Sequence, residues 1–232
     1  MIDVIPAGQH IQCVTSFQSL VATPFKGDIN ALCWKRALQG DFAEIVHKVS
    51  LYGTMAELDP AQLHALELSP LGQLARDILL QDLHLLAAHG TSPTLNLIKC
   101  YERDDAFPFF PTDVYSFHVD RSPVPTDTYL CTYYGEPSEL IPNAQVEQKV
   151  LTPEIRQALK KLHGGEEEGF ESFLTEHFFD LHYQPKPNTK SISLGIGHLW
   201  KLAVDHPQSK VLPCVHRAPK EKPGETRLLL IC

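Results

Sequence analysis

Residues 94–101 read TLNLIKCY, residues 114–119 read VYSFHV and residues 126–134 read TDTYLCTYY. Each is a short run rich in β-branched and aromatic residues, and proline-rich turns separate the runs, a pattern of strands rather than helices. Strand signals resume at 191–196, 199–204, 211–217 and 226–231. Upstream the pattern is helical. Residues 30–49 (NALCWKRALQGDFAEIVHKV) set Leu32, Leu38, Phe42, Ile45, Val46 and Val49 at roughly helical spacing, weakened locally by Gly40. A second helix is predicted from Pro70 to His89, capped by Ser69 and stopped by Gly90, with Leu71, Leu74, Ile78, Leu79, Leu83 and Leu86 as its apolar face. Helices first and short strands afterwards give an α+β chain whose sheets curl into a sandwich or barrel.

The change of pattern near residue 92 divides one structural domain into an N-terminal helical region, 1–92, packing on the sheet, and a β core, 93–232. Residues 144–190 interrupt that core. They contain a predicted helix at 153–163, Gly164-Gly165, the acidic run Glu166-Glu167-Glu168 and the stretch FESFLTEHFFDLHY at 170–183. An insertion of this length is read either as a lid or binding segment over a pocket, or as a surface helix pair. The acidic run itself reads as a solvated charge cluster.

The chain's 232 residues are 43% hydrophobic, enough for a full core. No apolar run reaches bilayer length and Met1-Ile2-Asp3 lacks the positive start of a secretory signal, so a soluble cytoplasmic protein is expected, with no membrane partner. With 20 basic against 28 acidic residues the net charge of -8 opposes binding to a phosphate backbone, and nucleic acid is excluded as a partner. The six cysteines are scattered without a C-x-x-C pair, which signals neither a disulfide framework nor a zinc ribbon.

Chemistry concentrates at two places. His118 and Asp120 lie two apart on a predicted strand, so both side chains project from one face. By chance alone about one H-x-D is expected in a chain with this many histidines. The C-terminal segment is more specific: His216-Arg217-Ala218-Pro219, then Pro223-Gly224, then Arg227 ahead of Leu228-Leu229-Leu230-Ile231. Read as an antiparallel hairpin turning at Pro223-Gly224, it sets the His216 and Arg227 strands side by side, with the facing of Arg227 dependent on register. Arg217, next to His216, should point away into a surface ion pair. Two imidazoles and a carboxylate can cap one face of an octahedral Fe(II), leaving positions for a chelating keto acid and dioxygen. Arg227 would then pair with the keto acid's far carboxylate through two parallel hydrogen bonds.

The remaining conspicuous residues receive plainer readings. His84 and His89, and His177 and His182, are five apart, which does not align on a helix face, and they read as scattered, partly exposed histidines. His198 and His206 flank a predicted strand and could approach a pocket. Trp34 and Trp200 should fill core space between helix and sheet.

The order H-x-D, distal His, proline, glycine and arginine before an apolar strand resembles the Fe(II)/2-oxoglutarate-dependent oxygenase superfamily. The blocks Phe117-His118-Val119-Asp120, Leu130-Cys131-Thr132-Tyr133-Tyr134-Gly135, Val215-His216-Arg217-Ala218-Pro219 and Arg227-Leu228-Leu229-Leu230 are also similar to an uncharacterised bacterial family, domain of unknown function 1826. That similarity runs from about residue 75 onward. The chain has Tyr129-Leu130 where that family carries an Arg-Leu pair, and 144–190 is particular to this chain. The resemblance implies a double-stranded β-helix, or jelly-roll, core with the metal at its open end. It implies that His118, Asp120 and His216 bind Fe(II) and carry catalysis, and that Arg227 grips the distal carboxylate of 2-oxoglutarate. Tyr133 and Asn143, with Tyr129 and Thr132, become candidates for hydrogen bonds to the cosubstrate or the ligands. The implied reaction hydroxylates a small molecule or an amino-acid or peptide substrate and releases succinate and CO2. Two other classes share these residues: a non-catalytic jelly-roll metal-binding protein holding zinc or another divalent ion, and an interaction module presenting 144–190.

Overall fold

The computed structural model describes residues 10–104, 106–220, 222 and 224–232; Met1-Ile2-Asp3 and Pro223, used in the sequence reading, lie outside the described residues. In chain order the elements are β1 (Ile11–Val14), α1 (Phe17–Ala22), β2 (Ala31–Trp34), α2 (Phe42–Lys48), β3 (Met55–Glu57), α3 (Pro60–Ala65) and α4 (Pro70–Ala88). There follow β4 (Thr94–Ile98), β5 (Phe117–His118), β6 (Asp127–Tyr134), β7 (Glu139–Leu140), β8 (Val146–Gln148), α5 (Pro153–His163) and α6 (Phe170–Glu176). The last are β9 (His182–Pro185), β10 (Ile192–Ser193), β11 (Leu199–Ala203), β12 (His216–Arg217) and β13 (Arg227–Ile231). They make a mixed α+β fold with two curled sheets. The larger has the order β1-β2-β11-β6-β13-β4-β3 and the smaller β10-β7-β12-β5-β9-β8. Only β1 and β2 pair in parallel; the other named strands pair antiparallel. Among the described residues no helix is long and apolar enough to cross a membrane.

Strand alternation sorts the large sheet into two packing faces. Leu32, Leu95, Leu97, Tyr129, Cys131, Tyr133, Leu228 and Leu230 face the helices and meet Leu20, Ile45, Leu79 and Leu86. Ala31, Cys33, Ile98, Leu130, Trp200, Leu202 and Leu229 face the small sheet and meet Leu140 and Cys214. Trp200 therefore fills the space between the sheets rather than between helix and sheet, and its Nε1 donates to Leu194 O at 2.7 Å. Leu79 and Leu86 are fully buried, and truncating either to alanine should cost about 2–5 kcal/mol.

The N-terminal third contributes strands as well as helices, which corrects the 30–49 reading. Ala31-Leu32-Cys33 is buried on both faces as part of β2, between β1 and β11, so its apolar run is that of a central strand. The helix begins only after Gly40, whose φ of +121° and close approach to Ala75 suit no other residue. Asp41 caps it, its Oδ1 accepting from Glu44 N at 3.0 Å. In α4 the Ser69 cap stands as expected, with Ser69 Oγ accepting from Gly72 N. Its buried stripe is Gly72, Ala75, Leu79, Asp82 and Leu86, while Leu71 and Leu74 are exposed. The stripe is rotated because Asp82 has partners across the interface and Gly72 leaves room for the Glu44 carboxylate.

The small sheet is narrow. The expected strands at 114–119, 191–196 and 211–217 reduce to two residues each, since neighbouring backbone groups bond elsewhere; Cys214 N, for example, donates to Ala203 O beside the large sheet. Of 144–190, α5 matches the expected helix, and β8 and β9 join this sheet beside β5. The helices bury a separate cluster of Phe110, Val150, Leu159, Phe170, Leu174 and Phe179.

The expected hairpin of His216 and Arg227 does not form. β12 lies between β7 and β5 in the small sheet, β13 between β6 and β4 in the large one. Crossing between sheets lets β13 bury both faces, Leu228 and Leu230 toward the helices and Leu229 toward the other sheet. Arg227 shares the parity of Leu229 and points between the sheets.

Candidate metal centre

His118 and His216 are directly opposed Cα partners, so strand pairing alone sends both imidazoles to one face. Their ring centroids lie 4.7 Å apart. Each ring is fixed by the same local device: His118 Nδ1 bonds Ser116 O at 2.8 Å and His216 Nδ1 bonds Cys214 O at 3.1 Å. A bond from Nδ1–H to a carbonyl leaves the Nε2 lone pair outward, as metal-ligating histidines require. Asp120, two residues past His118, completes the group. Its Oδ1 lies 3.9 Å from His118 Nε2 and its Oδ2 3.7 Å from His216 Nε2, too long for hydrogen bonds. Adjacent ligand atoms of an octahedral ion lie about 3 Å apart with bonds of about 2.1 Å, so small side-chain rotations would close the set. One donor atom from each of the three residues falls within 4.8 Å of the others.

Electrostatics favour the ligating forms. Burial, then the neighbouring His216, pushes the His118 imidazole down to about 4, so it is neutral at ordinary pH. Burial alone would raise the Asp120 carboxyl, but His216, the hydrogen bond from Thr128 and His118 outweigh it and hold the group below the usual carboxylate range. Thr128 Oγ1, reaching across from β6, donates to Asp120 Oδ2. The backbone behind Asp120 is tied by Asp205 N to Asp120 O at 2.8 Å.

Arg227 faces inward from the opposite sheet. It is buried, and its Nη2 donates to the buried Ser138 Oγ at 3.1 Å. Ser138 precedes β7, whose Leu140 is the Cα partner of His216. The guanidinium thus sits on the His216 side of the triad. Gly135 makes this passage possible, since a Cβ there would lie 2.4 Å from Thr226 O and 3.0 Å from Arg227 Cα.

Other site candidates lie elsewhere. Tyr133 faces the helices, stacks on Phe42 and donates to Asp82 Oδ2 at 2.6 Å, so β6 parity removes it from the metal cavity. Tyr129 shares that face. Asn143 accepts from Asn30 Nδ2 at 2.7 Å and donates to Pro213 O at 3.0 Å; it borders a separate cavity of about 350 Å³ with His10, Asn30 and Leu212. Thr132 alone among these candidates faces the small sheet, and its buried Oγ1 has no partner among the described residues. Arg217 points away, as expected, onto Glu139 at 2.6 Å. His198 Nδ1 accepts from Arg36 N at 3.2 Å, and His206 Nδ1 accepts from Gln208 N at 3.2 Å.

Phe178 drew no sequence reading, and His182, expected as a scattered, partly exposed histidine, is buried. A cavity of about 300 Å³ opens beside His118 and Asp120, lined also by Val114, Phe178, Leu181 and His182. His182 is the Cα partner of His118 on β9, so histidines 182, 118 and 216 occupy one rung across three strands. Phe178, exposed at the cavity mouth, holds a left-handed backbone with φ of 58°, an unusual conformation that functional sites often retain. The apolar-His pairs Phe117-His118, Leu181-His182 and Val215-His216 give no distinguishing signal, since Val46-His47, Leu63-His64, Leu83-His84 and Leu162-His163 repeat the pattern away from the site.

No family model, curated protein or solved structure matches this chain.

Proposed function

We propose that this protein is an Fe(II)- and 2-oxoglutarate-dependent oxygenase built on a double-stranded β-helix, hydroxylating a small molecule or an amino-acid or peptide side chain in the cytoplasm. The observation that carries the reading is the pairing of two features. His118, Asp120 and His216 converge on one point, and the inward-facing Arg227 enters from the other sheet on the His216 side. The blocks resembling domain of unknown function 1826 contain all four residues. The donor set, two imidazoles and one carboxylate, suits Fe(II) and leaves half of an octahedron for exogenous ligands. The bound iron would supply activation of dioxygen coupled to keto-acid decarboxylation. The chain's own tasks are then mostly positional. Ser116 O and Cys214 O hold the two imidazoles so that their Nε2 atoms would face a bound ion, and Thr128 orients the Asp120 carboxylate. Arg227 would pair with the distal carboxylate of 2-oxoglutarate, and Ser138 holds the guanidinium in place.

Anaerobic titration with Fe(II) and 2-oxoglutarate tests the reading. A metal-to-ligand charge-transfer band should develop in the wild type and weaken at least about tenfold in apparent affinity in Arg227→Ala, the loss expected for one charge-assisted pair. The same three ligands also suit zinc. Metal binding with no such band and no succinate under oxygen would instead favour the non-catalytic metal-binding protein.

A further inference from the structure

His182 sits in the small sheet beside His118, with ring centroids 5.9 Å apart, and only 4% of it is exposed. Phe110 lies edge-on to it at 6.2 Å, and the charged Lys149 and Asp104 act on it electrostatically. A phenylalanine would fill such a place without burying polar atoms, yet the chain has a histidine whose buried Nδ1 finds no hydrogen-bond partner among the described residues. The ring also lines the cavity that opens on His118 and Asp120. Along the rung the order is His182, His118, His216, Leu140, so His182 flanks the triad on the side opposite Arg227 and Ser138. The two sides are therefore chemically different. A buried guanidinium serves the Arg227 side, and an imidazole with hydrogen-bonding capacity to spare serves the cavity side, where Arg121 and Asp113 also line the space.

We propose that His182 is a positioning residue that hydrogen-bonds the outer atom of a small ligand, of the size of dioxygen or a triatomic anion, bound to the metal on the cavity side. The proposal rests on the metal reading of His118, Asp120 and His216, and it assigns the open coordination position to the cavity beneath Phe178 and Leu181. His182 itself stays outside the ligand set, since it does not belong to the group of donors within 4.8 Å.

The test uses the full chain loaded with Co(II), whose visible spectrum reports the metal, and azide as the probe ligand. Three variants are compared with the wild type: His182→Phe, which removes both nitrogens at nearly constant shape, and His182→Asn and His182→Gln, whose amides approach the two nitrogen positions. Co(II) affinity should be equal in all four proteins. Azide affinity should fall about five- to tenfold in His182→Phe, the worth of one hydrogen bond, and return in at least one of the amide variants. Equal azide affinity in all four, equal loss in all three variants, or no azide binding by the wild type overturns the proposal while leaving the metal reading in place. A parallel fall in Co(II) affinity shows a structural role for His182 and overturns it too. If the wild type takes up no Co(II), the metal reading itself fails.

Discussion

Two clusters of polar side chains lie on opposite sides of the large sheet, and they differ in how their hydrogen-bonding capacity is used. On the helix face, Arg36 Nη1 meets Asp82 Oδ1 at 2.7 Å, Arg36 Nε donates to Gly197 O at 2.9 Å, and Tyr133 Oη donates to the second Asp82 oxygen. Every strong group there faces another, and the network ties β6, α4 and the segment after β2 together. On the inner face, His118 and His216 anchor their far nitrogens to Ser116 O and Cys214 O, and Asp120 accepts from Thr128 on Oδ2, but the two Nε2 atoms stand 3.7–3.9 Å from the carboxylate oxygens, beyond hydrogen-bond range. A closed network of this kind specifies a fold, whereas the open group could hold a metal ion among its donors. Both occur within one sheet's thickness, so burial of charge by itself does not mark a functional site.

The comparison can be broken at its strongest point first. Asp82→Ala leaves Arg36 buried without its carboxylate and should lower stability by about 3–5 kcal/mol, read from urea denaturation. Metal affinity of the folded protein should stay unchanged; a loss of metal binding would mean that the two groups are coupled. His216→Ala should do the reverse. Divalent-metal affinity, followed by Co(II) titration, should drop by more than about 100-fold, beyond the roughly 10–100-fold that outer partners contribute. In chelator its denaturation midpoint should move far less than that of Asp82→Ala. The smallest effect concerns pH. Burial, then His118, pushes the His182 imidazole down to about 3, and His118 itself stands at about 4, against an ordinary value of 6.5. The unfolded chain therefore takes up protons first as pH falls. The stability of the chelator-treated protein should be level above pH 6.5 and decline from there toward pH 4, by up to about 1.4 kcal/mol per pH unit for each histidine. His182→Phe removes one of the two, so its curve should be shallower; parallel curves would contradict the assignment.

How much of this was legible in the sequence varied with the range of the interaction. His118 and Asp120 could be placed on one face because a strand's period of two is local. The helix at 153–163 and the cap at Ser69 were likewise local signals. Arg227 could not be assigned a side, because that depends on the register of β13 against two strands far away in sequence. Tyr133 and Thr132 are neighbours with opposite facings, and only the packing of α4 on β6 decides between them. His182 was hidden for another reason. It follows a helical stretch, and the turn from α6 to β9 passes through Phe178 in a left-handed conformation without a glycine or asparagine to announce it. Residues 30–34 misled because their apolar run fits either element until its neighbours β1 and β11 are known.

The pairing of β5 with β12 amounts to one residue pair, His118 with His216. On the metal reading the same two residues would also be joined through the ion, which would act as a cross-link closing a loop of about a hundred residues, with the entropic leverage on the unfolded chain that long loops give. The ion would then be a clasp on the weaker of the two sheets as well as a chemical centre. Loss of the ion would loosen β5, β9 and β12 ahead of the large sheet, so the amides at Val119 and Ile141, bonded to Leu181 O and Val215 O, would exchange faster while those of β6 and β13 kept their protection.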